Sequence, residues 1–414
     1  MGTRPYGVLG RTLGHSYTPI IYRELAGLDY RRFERVPEQL EAFIHGGEWE
    51  GVNVTIPYKK DVAALVDELS PIARRLGNVN TVTRLADGRL RGDNTDYYGF
   101  QALVESLGLD LTGATVLVFG GRGGAGTTAM TVLQDMGAVP VAIGRTGADT
   151  YDALDRHADA ALAVNCTPVG MFPRCPAAPC ALDALPNLKG LIDIVYNPAR
   201  TALMMETERR GLAVAGGLLM LVAQAAQAVE RYTGELPDMD RIRDVTARLS
   251  AAEQNVALIG MPGSGKTRVG QNLARLLGRE HVDIDRVLEE KLGCSCSAYI
   301  TSRGEEAFRE QETAALGEVA ARSGLVISCG GGVVTREENY PLLHQNSRIV
   351  MLNRPLEELA RKGRPITARD GIETLAERRM PLYRSWADLI IDSREAAALT
   401  AQAVADALPP MLAL

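Results

Sequence analysis

Lys266 lies in the stretch Gly260-Met-Pro-Gly-Ser-Gly-Lys-Thr267, a complete GxxxxGK[ST] pattern. In such a loop, successive backbone N–H groups and a helix N-terminus wrap phosphate oxygens, here from Gly260, Gly263, Ser264 and Gly265. Lys266 reaches the β- and γ-phosphates and the Thr267 hydroxyl ligates Mg²⁺. The pattern specifies a nucleoside triphosphate and leaves the acceptor open. Asp283 and Asp285 follow an apolar run and read as the end of a strand, with both carboxylates on one face. One suits the hydrated magnesium ion and the other a substrate hydroxyl. Arg309, Arg364 and Arg379 follow, with the triplet Gly330-Gly331-Gly332 among them. Arginines near a phosphate loop suit a carboxylated substrate and a phosphoryl group in transfer, although each alone is most often a solvated charge.

A second glycine-rich turn has a different grammar. Gly120-Gly-Arg-Gly-Gly-Ala-Gly126 follows the apolar run Thr115–Phe119, and Gly121, Gly123, Gly124 and Ala125 are its candidate phosphate contacts. After the next apolar run, Gly144-Arg145-Thr146 stands where an NAD site wants a carboxylate for the ribose 2′-hydroxyl. An arginine and a hydroxyl suit a 2′-phosphate, so the turn predicts NADP(H). Upstream, Asn53–Lys59, Asn80-Thr81 and Gly92–Asp96 concentrate small hydroxyls and amides with one lysine. A small polyhydroxylated acid needs such partners, because each of its hydroxyls must be satisfied when bound.

These residues require two α/β units. Each glycine loop lies between a β-branched run and a helical pattern, at Thr115–Phe119 before 127–136 and at Asn255–Ile259 before 269–277. Residues 234–238, GELPD, break the helix that begins near Leu218. The polar stretch 240–253 reads as a terminal helix, which places the join at about 249–254.

The 414 residues allow two to three domains and large cores without covalent staples. A net charge of −6 argues against nonspecific nucleic-acid binding. The longest apolar stretch, 211–229, is broken by Gln224 and Gln227, so no membrane span is expected. The N-terminus shows no apolar signal core, and the six cysteines form no CxxC pair. A reduced, cytoplasmic protein is the expectation.

The first 248 or so residues resemble the shikimate dehydrogenase family. HSYTP, NVTIPYK, GDNTD, NCTPVGM, DIVY and GLLMLVAQ match its motifs in order. The resemblance implies a two-lobed unit over 1–249. The substrate lobe would span about 1–100 and 218–249, and a Rossmann-like NADP lobe about 101–217. It implies that Ser16, Thr18 and Tyr196 carry a substrate carboxylate and that Thr55, Asn80, Asp96 and Gln224 hold hydroxyls. Lys59 and Asp96 would be the catalytic pair, and Gly217 would lie at the cofactor. Residues 255–414 resemble shikimate kinase in the P-loop, DID, GEEAFR, the glycine triplet and RMPLY. This implies a P-loop kinase with a five-stranded parallel sheet that uses ATP and Mg²⁺. Asp283 would help hold the metal, and Asp285 would bind and deprotonate the attacking hydroxyl. Arg309, Arg379 and Gly330–Gly332 would bind shikimate, and Arg364, on a lid over 357–367, would stabilise the transferring phosphoryl group.

Together the halves imply consecutive steps, from 3-dehydroshikimate to shikimate and then to shikimate 3-phosphate. Thr18 for serine, Gly144 for asparagine and Leu219 for glycine depart from the first family's pattern, which bears on cofactor affinity. Two other readings stand beside this one: a metabolite sensor, or a half-catalytic protein, built from the same folds, and a quinate-preferring dehydrogenase fused to the kinase. Retention of Lys59, Asp96 and Lys266 favours the enzyme.

Overall fold

A run such as TVLVF (115–119), apolar on both faces, is stable as a strand only when layers cover both sides. In the computed structural model, which describes residues 4–14, 17–359, 369–393 and 396–412, such runs lie near the centres of sheets. The first sheet holds β1 (Tyr6–Gly10), β2 (Tyr30–Glu34), β3 (Gly51–Val54), β4 (Glu68–Leu69), β5 (Thr81–Arg84) and β6 (Leu90–Asp93). Their order is β2-β1-β3-β5-β6-β4, with β5 antiparallel to both its neighbours.

The second sheet is wholly parallel and contains β7 (Thr115–Phe119), β8 (Val139–Ile143), β9 (Leu162–Asn165), β10 (Gly190–Asp193) and β11 (Ala213–Gly216). Its order, β11-β10-β9-β7-β8, reverses direction at β7, so the glycine turn after β7 opens at a topological switch point. The chain then returns to the first unit through helix Gly217–Thr233. That helix buries an alanine- and valine-rich face together with Val8, Ile21 and Tyr22.

Helix Met239–Glu253, capped by the Asp238 side chain, also packs into this core through Ile242, Val245 and Leu249. A single residue, Gln254, separates it from β12 (Asn255–Ile259). The third sheet adds β13 (His281–Asp283), β14 (Val326–Ser328), β15 (Ser347–Asn353) and β16 (Leu389–Asp392). All five strands are parallel, in the order β13-β14-β12-β15-β16. This is the five-stranded parallel sheet expected of the second unit.

One expectation about local structure is corrected here. β13 ends at Asp283, whose side chain accepts the backbone N–H of Asp285 and caps helix Ile284–Leu292. Asp285 therefore sits in the first turn of a helix, and strand alternation does not set the relation between the two carboxylates. An aspartate N-cap ends the strand two residues short of Asp285. No helix of the described residues is long and apolar enough to cross a membrane. All six cysteines are free thiols.

Candidate active sites

In the first unit, β3 carries the chain into a turn at Thr55, where Thr55 N–H donates to Leu9 O and Tyr58 N–H to Thr55 O. Tyr58 is 1% exposed and its hydroxyl reaches Arg35 O at 2.7 Å, which fixes the start of helix Lys59–Ala63. The adjoining ammonium, Lys59 Nζ, lies 2.6 Å from Asp96 Oδ2. Asp96 opens helix Asp96–Glu105, where the helix dipole favours a carboxylate. Its other oxygen accepts from Asn80 Nδ2 at 2.8 Å. Asn80 is also tied to Thr95, and Thr95 Oγ1 donates to Gln224 Oε1 at 3.3 Å, across 129 residues of sequence. Lys59, Asn80, Asp96 and Gln224 are thus one hydrogen-bonded cluster.

Both members of the ion pair remain partly open to solvent. Such a pair orients the ammonium, with hydrogens left for an incoming oxygen. Thr18 opens helix Thr18–Ala26. Beside it the Tyr17 ring meets Tyr196 edge-on, with centroids 6.1 Å apart. Ser16 lies outside the described residues.

At the second sheet, Gly123 caps helix Gly124–Asp135, so the first N–H groups of that helix face the mouth of the glycine turn. A Cβ on Gly126 would stand 2.2 Å from Gly120 O, so the turn closes this tightly only with glycine there. The sequence reading did not assign Gly126, although the spacing of the glycines could have done so. Arg145 and Thr146 lie exposed after β8. Arg122, also unassigned, donates to Thr146 O at 3.0 Å, which brings a second guanidinium to the same corner. Two arginines and a hydroxyl beside a helix N-terminus fit a dinucleotide that carries a 2′-phosphate.

Asp193 is fully buried and binds Asn165 Nδ2 at 3.0 and 3.1 Å, the Thr201 hydroxyl at 2.7 Å and the Val195 N–H at 3.0 Å. Burial pushes its carboxyl up to about 6, against the pull of these donors. The NCTPVGM and DIVY segments therefore brace each other. A Cβ on Gly217 would fall 2.0 Å from Ile194 O, so that glycine lets the helix start against the DIVY segment.

The second unit holds a cleft of about 940 Å³. Gly263, Gly265, Lys266, Thr267, Asp283, Asp285, Arg309, Gly330–Gly332 and Arg379 all line it. Lys266 Nζ donates to Gly260 O at 2.8 Å and to Met261 O at 3.1 Å. Ser264 is fully buried beneath the loop. Thr267 Oγ1 stands 2.6 Å from Asp283 Oδ2, and two hard oxygens this close suit a magnesium ion with its water shell. Among the described residues no cluster of three or more His, Cys, Asp and Glu side chains suits a metal.

Asp285 is pushed up to about 6, first by burial and then by Glu312 and Asp283, against the pull of Lys266 and Arg309. Glu312 was not foreseen. It is fully buried, pairs with Arg309 at 2.5 Å and keeps its Oε1 without a partner. Nothing in the local sequence marks it, because it is an ordinary helical glutamate until the fold turns it inward. Arg379 donates to Gly331 O at 3.0 Å, and Tyr383 donates to the same oxygen. Arg364 and most of the expected lid lie outside the described residues.

Residues 8–82 match the family model described as the shikimate dehydrogenase substrate binding domain, and residues 262–409 match shikimate kinase. A shikimate dehydrogenase (NADP(+)) of Geobacillus kaustophilus is 36% identical over 266 residues, covering 58% of this chain and 96% of that protein. The Thermus thermophilus shikimate 5-dehydrogenase, solved with NADP(H) and shikimate, superposes with a TM-score of 0.53 at 33% identity, over 59% of this chain and 98% of that one. A Corynebacterium glutamicum quinate dehydrogenase in complex with NAD superposes at 0.54 with 27% identity, over 58% and 98%. The chain belongs to the shikimate dehydrogenase family and carries, behind that unit, a shikimate kinase domain.

Proposed function

We propose that this chain reduces 3-dehydroshikimate to shikimate with NADPH and then phosphorylates the hydroxyl it has made, giving shikimate 3-phosphate with MgATP. The observation that carries the reading is the Lys59–Asp96 pair at 2.6 Å, knit to Asn80 and Gln224, in a chain whose second cleft joins a phosphate loop to Asp285. When bound, NADPH supplies a hydride and MgATP a phosphoryl group. Residues 1–249 form the first unit, with the substrate lobe at about 1–100 and 218–249 and the cofactor lobe at about 101–217. Residues 255–414 form the second.

In the first unit Ser16, Thr18 and Tyr196 bind the substrate carboxylate. Thr55, Asn80, Asp96 and Gln224 bind its hydroxyls, each replacing a hydrogen bond to water. Lys59 donates a proton to the ketone oxygen as the carbon is reduced, and Asp96 holds that ammonium in place. The turn Gly121–Ala125 with Gly144, Arg145, Thr146 and Gly217 holds the dinucleotide. In the second unit Arg309, Arg379 and Gly330–Gly332 bind shikimate. Asp285 takes the proton of the attacking hydroxyl, and Asp283 with Thr267 serves magnesium. Gly260, Gly263, Ser264, Gly265 and Lys266 bind the phosphates, and Arg364 is assigned to the phosphoryl group in transfer.

Separate assays test the two halves. Purified protein is expected to oxidise NADPH with 3-dehydroshikimate and to release ADP with shikimate. If 3-dehydroquinate with either nicotinamide outperforms 3-dehydroshikimate, the quinate reading replaces this one. Tight binding of shikimate without any turnover would point to a sensor.

A further inference from the structure

The two loops assigned above to the substrate carboxylate meet where Tyr17 touches Tyr196. Each is fastened to residues that come after the dehydrogenase unit or at its very end. The Tyr17 hydroxyl donates to Glu253 Oε2 at 2.5 Å, and Glu253 is the last residue of helix Met239–Glu253. Ser323, in the loop after helix Glu305–Ala320 of the kinase domain, lines the same cavity as Glu253. Asn346 Nδ2 donates to Ser323 Oγ at 3.2 Å, and Asn346 is only 2% exposed. Its Oδ1 accepts the N–H of Ala199 at 3.3 Å, three residues beyond Tyr196. Next to it, Arg200 N–H donates to Gln345 O at 2.8 Å and its guanidinium to His344 O at 3.1 Å.

Hydrogen bonds therefore fasten Tyr17 to Glu253 and the Tyr196 loop to Asn346, which in turn holds Ser323. These links border an apolar cavity of about 410 Å³ lined by both tyrosines. Part-buried polar groups linked in this way hold their backbone segments in one arrangement, because breaking any link strands the next group.

We propose that Glu253, Ser323 and Asn346 are positioning residues for the dehydrogenase, so that the kinase domain sets the geometry of the other unit's carboxylate site. The proposal rests on the assignment of Thr18 and Tyr196 to that carboxylate. A free-standing dehydrogenase unit would lack at least Ser323 and Asn346.

The test uses the full chain. Glu253→Ala and Asn346→Ala are each expected to raise KM for 3-dehydroshikimate about tenfold with kcat within twofold, the signature of lost binding that ground and transition states share. Kinase constants should not move. Glu253→Gln keeps an oxygen for the Tyr17 hydroxyl and should restore most of the affinity. Tyr17→Phe removes one hydroxyl with little risk to folding. It should match Glu253→Ala, and the double variant should be no worse than either single one. Thr18→Val tests the underlying assignment independently of the interface. If Thr18→Val raises KM while Tyr17→Phe, Glu253→Ala and Asn346→Ala do not, the positioning role is overturned and the site assignment stands. If Thr18→Val has no effect, or the wild-type chain does not reduce 3-dehydroshikimate, the assignment itself falls. A loss of kcat at constant KM in Glu253→Ala also overturns the proposal.

Discussion

In the first cleft the acidic group Asp96 stays partly exposed and is matched one-to-one with Lys59, whereas in the second Asp285 is buried and crowded by Glu312 and Asp283. The difference fits the chemistry proposed for each cleft. A ketone reduction needs a proton donor held in place, which a close ion pair at moderate exposure supplies. Phosphoryl transfer to a hydroxyl is helped by a base that takes the hydroxyl's proton, and burial beside like charge gives Asp285 that character. The first site is also knit across long sequence distances, while the phosphate-binding part of the second is one continuous stretch, 260–267.

Removing each cleft's lysine separates the two most sharply. Lys266→Ala is expected to cut phosphoryl transfer about 10³-fold while NADPH oxidation is unchanged, read by paired assays on one preparation. Lys59→Ala should cut ketone reduction about 10²–10³-fold and leave ADP release from supplied shikimate intact. A variant that lowers both activities would show that the clefts do not act separately. Arg145→Ala should raise KM for NADPH about tenfold and leave that for NADH nearly unchanged, since one charged hydrogen bond to a 2′-phosphate is lost.

The smallest effect sharpens the electrostatic contrast. The folded-state value of Asp285 is raised to about 6, so its basic form is depleted as pH falls through that value. Kinase kcat/KM should be level above about pH 7, fall about twofold by pH 6 and approach tenfold per unit below it. The dehydrogenase should show no such limb from this group. A kinase profile that stays level down to pH 4.5 would remove Asp285 as the base.

What the sequence disclosed divides along the same line. The phosphate loop, the glycine turn and the strands before them were legible, because each is a contiguous pattern with a local geometric cause. The apolar runs at 115–119 and 255–259 became β7 and β12 without change. The two aspartates line one cleft, but an N-cap ends β13 at Asp283, so strand alternation does not relate them. Glu312 escaped notice because only the fold turns it toward Asp285. Arg122 and Gly126 lay inside a recognised motif, yet their jobs depend on a return of the chain 20 or more residues later and on a close backbone approach. The Tyr17–Glu253 link spans 236 residues and leaves no local trace at all.

Complementation of two disabled chains tests the central claim of two separate sites acting in series. Lys59→Ala and Lys266→Ala proteins are incubated singly and mixed with 3-dehydroshikimate, NADPH, ATP and Mg²⁺, and products are followed by mass spectrometry. The account predicts no shikimate 3-phosphate from either alone, shikimate accumulating with Lys266→Ala, and shikimate 3-phosphate restored in the mixture. Shikimate 3-phosphate formed by either variant alone at the wild-type rate, or no product from the wild-type chain, would contradict it.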